Sequence, residues 1–269
     1  MKKFIYILIF LLFIWTFFIE PNMLVTNKQS FNIKGLEGLK VVFIGDFHIK
    51  PNQKSRLEYI IKTINEQNPD LILSAGDFVS GHEPQMSLPI QEIAQELSTL
   101  KPKYGFYAVL GNHDWWQGGE KAEKILEQNG IVVLGNENRK LNIKGKTLYL
   151  AGVEDMNTRD IDLVKALKNT NKPTILLTHT PDVFPFITNK SNSIITKSVE
   201  LTLAGHTHGG QVNIPFIGPL IVPSDYGKKY AQGLIKENGK TMFVTKGIGT
   251  SILPMRFNCL PEIVIIKFI

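Results

Sequence analysis

Asp46-Phe47-His48, Asp77, Asn112-His113-Asp114, His179 and His206-Thr207-His208 bring together, in a 269-residue chain, side-chain types able to bind metal ions and move protons. Each of these short segments follows an apolar stretch that reads as a strand ending in a turn. Five of the six histidines fall in them, a bias that scattered core histidines would not show. The donor set mixes carboxylate and amide oxygens with imidazole nitrogens and contains no sulfur. It suits Mn, Fe or Zn, and it is unusually rich in nitrogen for Mg or Ca alone. The set is too large for one ion but divides between two, with a carboxylate such as Asp77 shared and neutral Asn112 adding a carbonyl oxygen. Two divalent ions roughly 3.5–4 Å apart lower the pKa of a bridging water and clamp phosphoryl oxygens. The chemistry expected is therefore hydrolysis at phosphorus.

The elements that position these residues are legible in the apolar pattern. Leu39–Ile44 is a nearly continuous apolar run before Gly45-Asp46, the mark of a buried strand. Leu57, Ile60, Ile61 and Ile64 recur at i, i+3, i+4 and i+7, which predicts an amphipathic helix. Leu71–Leu73 then leads into Gly76-Asp77, a second helix is expected over Ile90–Leu100, and Phe106–Leu110 precedes Gly111-Asn112. In the second half, strands are expected over Thr147–Val153, Thr174–Leu177 and Leu201–Ala204, the last two running into His179 and His206. Shorter strands follow at Val212–Ile214, Tyr230–Ile235, Met242–Thr245 and Ile263–Phe268. This is an α/β class, with two packed sheets and helices outside them. Carboxyl ends of strands are where such folds gather ligands. Gly45, Gly76, Gly111 and Gly205 permit tight turns beside the candidate ligands.

Taken in order, Gly45-Asp46-Phe47-His48, Gly76-Asp77, Gly111-Asn112-His113-Asp114, Thr178-His179 and Gly205-His206-Thr207-His208 resemble the calcineurin-like metallophosphoesterases. The resemblance implies a four-layer α/β/β/α sandwich. It also implies one metal on Asp46, His48 and His208, a second on Asn112, His179 and His206, and Asp77 bridging them. His113 would not be a ligand but would face the substrate, stabilising the transition state or protonating the leaving oxygen, a role that suits a side chain titrating near neutrality. The protein phosphatases of that superfamily carry Asp and Arg shortly after the second aspartate. Asp77-Phe78-Val79-Ser80-Gly81 has neither, which argues against a phosphoprotein substrate. Gly205–Gln211 with Pro215, Gly247–Ser251, Pro254–Phe257 and Pro261-Glu262 resemble a bacterial membrane-associated branch. It includes phosphodiesterase-like proteins and UDP-2,3-diacylglucosamine pyrophosphatases of lipid A synthesis. That branch implies a lipid-linked or nucleotide substrate, with an exported general phosphodiesterase as the alternative. Manganese is the metal used for a first test.

Composition adds bounds. A hydrophobic content of 43% with 20% charged residues is that of a globular protein with a real core. The net charge of +6 favours anionic partners, but no Lys/Arg block suggests specific nucleic-acid binding. Cys259 is the sole cysteine, so neither an intramolecular disulfide nor a multi-thiolate zinc site can form. The N-terminus opens Met1-Lys2-Lys3 and continues as an apolar run, Phe4–Ile19, closed by Glu20-Pro21. About 16 helical residues reach roughly 24 Å, a little less than the roughly 30 Å of bilayer hydrocarbon. The bulky Phe17-Phe18-Ile19 ending argues against signal cleavage. The expected organisation is an N-terminal membrane anchor (or signal) over 1–22, then a linker and edge strand around Phe31-Asn32-Ile33 over 23–38. The catalytic domain follows over 39–269. Lys2 and Lys3 favour a cytoplasmic N-terminus, a bias that Lys28 and Lys34 weaken.

Five further residues have two readings each, the two tryptophans taken as a pair. His82 is read as a loop residue or a substrate contact, and the Trp115-Trp116 pair as helix packing or an apolar lip. Arg256 is read as a phosphate clamp or half of an ion pair, and Asp114 as a metal ligand or as a support for its turn or a neighbouring histidine.

Overall fold

The computed structural model describes residues 2–269. Fourteen strands arise in an order that builds one sheet, then the other, and returns to the first. The first five are β1 (Val25–Phe31), β2 (Lys40–Ile44), β3 (Leu71–Ser74), β4 (Phe106–Ala108) and β5 (Ile131–Val133). The next four are β6 (Glu137–Ile143), β7 (Lys146–Gly152), β8 (Thr174–Leu177) and β9 (Val199–Ala204). A small hairpin, β10 (Asn213–Ile214) with β11 (Gly218–Pro219), is followed by β12 (Gly233–Glu237), β13 (Lys240–Val244) and β14 (Glu262–Phe268). One six-stranded sheet has the order β1-β14-β2-β3-β4-β5 and the other β12-β13-β9-β8-β7-β6.

The period of two along the strands sorts side chains between layers. In β2, Val41 and Phe43 point into a core shared with Leu148, Leu150, Ile175, Leu177, Leu201 and Leu203 of the second sheet. Val42 and Ile44 point the other way, onto Leu57, Ile60 and Ile64. These belong to helix α2 (Lys54–Glu66), which with α3 (Ile90–Leu97) and α5 (Gly119–Gln128) covers the first sheet. The second sheet turns Ala151, Leu176 and Val244 outward onto Ala166, Phe184 and Ile187, carried by short α6 (Leu163–Ala166) and α7 (Phe184–Thr188). The four-layer α/β/β/α arrangement is the one expected, with a thin outer layer on the second sheet. Between α3 and α5, α4 (Asn112–Trp116) is a single short turn of helix.

Several boundaries differ from expectation. The first edge strand lies earlier, at β1, paired in parallel with β14 over Val25↔Glu262 to Phe31↔Phe268, while Ile33 beyond it turns into the inter-sheet core. Tyr230 is the buried residue of a 3₁₀ turn, Gly227–Tyr230, rather than part of the strand that follows it, β12. The edge strand β6 has one buried position, Ile143, the rest being half-buried or exposed, and its polar residues hid it.

The apolar N-terminal segment is helical from Lys2 to Asn22, 21 residues in all. Its first part, α1 (Lys2–Ile14), has no buried residue. Beyond it Thr16 and Glu20 are buried against the body. Cys259 N donates to Glu20 Oε1 at 2.6 Å and Trp15 Nε1 to Oε2 at 2.7 Å.

Arg256 has neither of its expected roles. It is wholly buried and spends its guanidinium on main-chain carbonyls: Nη1 donates to Cys259, Nη2 to Lys246 and Gly249, and Nε to Gly249. The residue cross-braces the segment 246–259, so no donor remains for a substrate phosphate.

Candidate metal centre

The eight residues singled out from the sequence converge on one cleft at the carboxyl ends of β2, β3, β4, β8 and β9. Adjacent loops are stitched together before any side chain acts. Asp46 N donates to Gly76 O, His48 N to Asp77 O, and Gly205 N to His179 O. Five of the eight, Asp46, His48, Asp77, His206 and His208, have left-handed backbone, with φ between 42° and 70°. That conformation is uncommon outside glycine, and its clustering here is a mark of a functional site.

Side-chain geometry divides the set in two. His48 Nε2 lies 3.0 Å from His208 Nε2, and these two with Asp46 offer atoms within 4.8 Å of one another. His179 Nε2 lies 3.0 Å from Asn112 Oδ1 and 3.1 Å from His206 Nδ1. Asp77 joins the halves, since its Oδ2 is 3.3 Å from His48 Nε2 and 3.3 Å from His179 Nε2. Its other oxygen accepts from His113 N at 2.9 Å, which fixes Oδ2 toward the two histidines. His179 Nδ1 faces the Ala75 carbonyl at 2.7 Å, so it donates its proton there and Nε2 is the atom turned inward, free to bind a metal once its own proton leaves.

These contacts fit divalent cations. Lone pairs converge from nitrogen and oxygen in a place where few protons are available to separate them. Burial and the neighbouring His179 push His206 down to about 3, and burial with His48 pushes His208 well below its usual value, so both rings are neutral donors. Burial also lowers His179, but Asp77, with Asp155 and Asp46, outweighs it and carries the ring up to about 10. A proton there supplies the positive charge that the buried carboxylates demand and that a metal ion would supply in its place. Burial raises Asp46 to about 6, a further sign of a cluster short of cations.

Support for the loops comes from Asp114, which is a positioning residue. Its Oδ2 accepts from Asp77 N at 2.8 Å and Gly111 N at 3.0 Å, and its Oδ1 from Phe78 N at 2.9 Å and Val79 N at 3.2 Å. Gly111 is required for a different reason. A Cβ there would stand 2.2 Å from Asp77 Oδ1 and 2.6 Å from His179 Cε1. Gly111→Ala should therefore displace both side chains and weaken metal binding by roughly 10–100-fold, the scale of losing a supporting contact. Competition against a chromophoric chelator would measure it.

His113 donates its main-chain N–H to Asp77, and its ring stands at the rim of the cluster, a ring nitrogen within 4.8 Å of ligand atoms of His48 and Asp77. Its Nδ1 lies 2.9 Å from the Gly81 carbonyl, which places the proton on Nδ1 and turns Nε2 into the cleft, 3.5 Å from Ser251 Oγ. Burial is the main cause that lowers it to about 4. Trp116, 45% exposed, stands edge-on to His113 and stacks on His82 at 4.1 Å, so His82 and Trp116 form a lip of the cleft. Trp115 instead packs on the helix-side core and under the Arg159 guanidinium at 4.6 Å.

One contributor, Asn157, went unseen in the sequence, and Gly247 was marked there only as part of the Gly247–Ser251 resemblance, not as a neighbour of the ligands. Asn157 lies on the outer ring nitrogen of His206 at 3.3 Å and donates to Thr180 Oγ1, which in turn donates to Asp155. Gly247, after β13, passes so close to Asp46 that a Cβ would be 2.6 Å from that of the aspartate. Neither segment contains a metal-type histidine to flag it.

A cleft with buried carboxylates and imidazoles at strand ends, set between two sheets, defines a metal-dependent phosphoester hydrolase. The calcineurin-like phosphoesterase family profile matches residues 39–210, and the chain belongs to that family. It is 32% identical over 257 residues to the metallophosphoesterase YkuE of Bacillus subtilis, covering 92% of this chain and 86% of that protein. To the phosphodiesterase YaeI of Escherichia coli it is 30% identical over 256 residues, covering 93% and 90%. A transmembrane protein with a metallophosphoesterase domain from Danio rerio is 31% identical over 245 residues, covering 86% of this chain and 53% of that one.

Proposed function

We propose that this protein is a dinuclear, membrane-anchored hydrolase of phosphodiester or pyrophosphate bonds. Asp46, His48 and His208 hold one ion, Asn112, His179 and His206 the other, and Asp77 bridges them. The observation that carries this reading is the equal 3.3 Å approach of Asp77 Oδ2 to His48 Nε2 and His179 Nε2. Two carboxylates against two divalent ions leave the cleft with a net positive charge matched to a phosphoryl anion. Bound there, the ions would lower the pKa of a water and polarise the phosphoryl oxygens. The chain's own contribution is to orient the donors, through Asp114 and the Ala75 carbonyl, and to place His113 Nε2 beside the leaving oxygen.

The substrate reading is a lipid-linked or nucleotide phosphodiester, of which a UDP-2,3-diacylglucosamine is one candidate. It is supported by the name of the relative YaeI, by the apolar helix α1 and by the Trp116–His82 lip. Purified full-length protein should carry two divalent ions per chain and hydrolyse a bis-aryl phosphodiester. Chelation should abolish the activity, and Mn²⁺ should restore it. A content of one ion or fewer in the active protein would overturn the dinuclear assignment. A panel of lipid diphosphates, nucleotides and simple diesters then separates the substrate classes.

A further inference from the structure

The freely exposed part of the N-terminal helix is too short to cross a bilayer by itself. The segment α1 has 13 residues, about 20 Å at the helical rise, against roughly 30 Å of hydrocarbon. The helix goes on to Asn22, but Arg256 N donates to the Thr16 carbonyl at 2.9 Å and Glu20 is buried on the body. Lowering residues 15–22 into the membrane therefore lowers the adjoining part of the body with them.

That part is apolar. Pro254 shares a recess with Phe17 and Pro21, and beside it Ile252 and Leu253 are 99% and 54% exposed. The β10–β11 hairpin and its exit present Phe216, Ile217, Leu220 and Ile221, all exposed. The two tips are one structural unit. Ser251 N donates to Gln211 Oε1 at 2.7 Å, Gln211 Nε2 to Ser251 O at 2.9 Å, and Asn213 N to Phe257 O at 2.8 Å. Phe216 and Ile252 have left-handed backbone, φ 67° and 60°, a costly state for an aromatic or β-branched residue. Burial in a core would compensate such strain, yet both side chains stand in the open. Lys228, whose Nζ donates to Ile217 O at 2.8 Å, is exposed beside the hairpin, which suits acidic headgroups.

We propose that the tips Phe216-Ile217, Leu220-Ile221 and Ile252-Leu253 insert into the same bilayer face as α1, seating the catalytic body on an anionic lipid surface. The tips belong to the segments that border the metal cleft, since Gln211 follows the His208 turn and Ser251 faces His113 Nε2. Docking there holds the mouth of the cleft at the headgroup layer. The inference rests on reading α1 as an anchor, and the test separates the two.

Full-length protein with single substitutions Ile9→Cys, Phe216→Cys, Ile252→Cys or Glu127→Cys is spin-labelled and reconstituted in phosphatidylglycerol–phosphatidylethanolamine vesicles, native Cys259 being buried. Oxygen and a water-soluble nickel chelate serve as relaxation agents. Labels at 9, 216 and 252 should be reached by oxygen and shielded from nickel, with the label at 127 reversed. If 9 lies in lipid while 216 and 252 match 127, the anchor stands and docking fails; if 9 also lies in water, the anchor reading fails too. A self-associated species that disappears on Phe216→Ser with Ile252→Ser would assign the tips to a second copy and overturn the lipid assignment. As an activity readout, that double variant, still held on the vesicles by α1, should keep hydrolysis of a soluble aryl diester, and loss of that hydrolysis would show that the tips serve the cleft's fold and not the lipid.

Discussion

Asp77→Asn should reduce phosphodiester hydrolysis by far more than the roughly 10–100-fold that follows loss of a supporting contact. It should also lower bound metal from two ions per chain to one or fewer. The amide keeps the size of the side chain, and its carbonyl oxygen can still accept the bond from His113 N, 2.9 Å from Asp77 Oδ1 in the native protein. What it lacks is the charge at the oxygen that meets both His48 and His179. Stability provides an independent readout. In the metal-free protein burial raises Asp77, but the neighbouring His179 and His48 outweigh it and hold its carboxyl well below the usual carboxylate range, so its charge stabilises the folded state near neutral pH. Metal-free Asp77→Asn should therefore melt below the metal-free native protein. Adding Mn²⁺ should raise the melting temperature of the native protein and leave that of the variant almost unmoved, because stabilisation by a ligand scales with its affinity for the folded state. Elemental analysis and a pair of melting curves decide the matter. Two ions retained with near-native activity would show that the aspartate does not bridge.

The sequence exposed the site better than it exposed the scaffold, and the reason is physical. Each metal-type segment sits after a buried strand whose apolar run is continuous, as in Lys40–Ile44 and Leu71–Ser74, so the strand end and its ligand are read together. Edge elements lack that contrast. The strand β6, Glu-Asn-Arg-Lys-Leu-Asn-Ile, is half solvent-facing and resembles a loop, and β1 was displaced because Ile33, the more apolar signal, serves the core rather than the strand. Long-range backbone chemistry was equally hidden. Nothing local in Arg256 says that its partners are the carbonyls of Gly249 and Cys259 rather than a phosphate. Asp114 is a halfway case. A carboxylate beside the Asn112-His113 pair announced a supporting role, but its four main-chain partners across two loops became visible only in the fold. The left-handed backbone of five candidate ligands was foreshadowed only by a glycine standing just before Asp46, Asp77 and His206.

The substitution His113→Ala should separate catalysis from metal binding. Its ring contributes Nε2 to the cleft, while its Nδ1 is engaged with the Gly81 carbonyl at 2.9 Å, and the ligand cluster is complete without it. The variant should keep two ions and a nearly native KM, and lose about 10²–10⁴-fold in kcat, the usual range for a removed general acid. The size of the loss should depend on the leaving group. An aryl alcohol departs as a stable anion and needs little protonation, whereas an alkyl or sugar alcohol needs the proton early. The deficit should thus be small for a nitrophenyl ester and large for an alkyl ester of the same phosphate. Protonation state supports this division of labour. Burial holds His113 down to about 4 against the opposing charge of Asp77, and neighbouring cations push the same way as burial; an approaching phosphoryl anion adds to the opposing side. Binding of a non-titrating phosphodiester analogue to the native protein should therefore take up protons near neutral pH, seen as a dependence of the binding enthalpy on the ionisation enthalpy of the buffer. His113→Ala should show none. An equal kcat deficit for aryl and alkyl esters, with the same proton uptake in both proteins, would assign His113 to positioning the Gly81 loop instead.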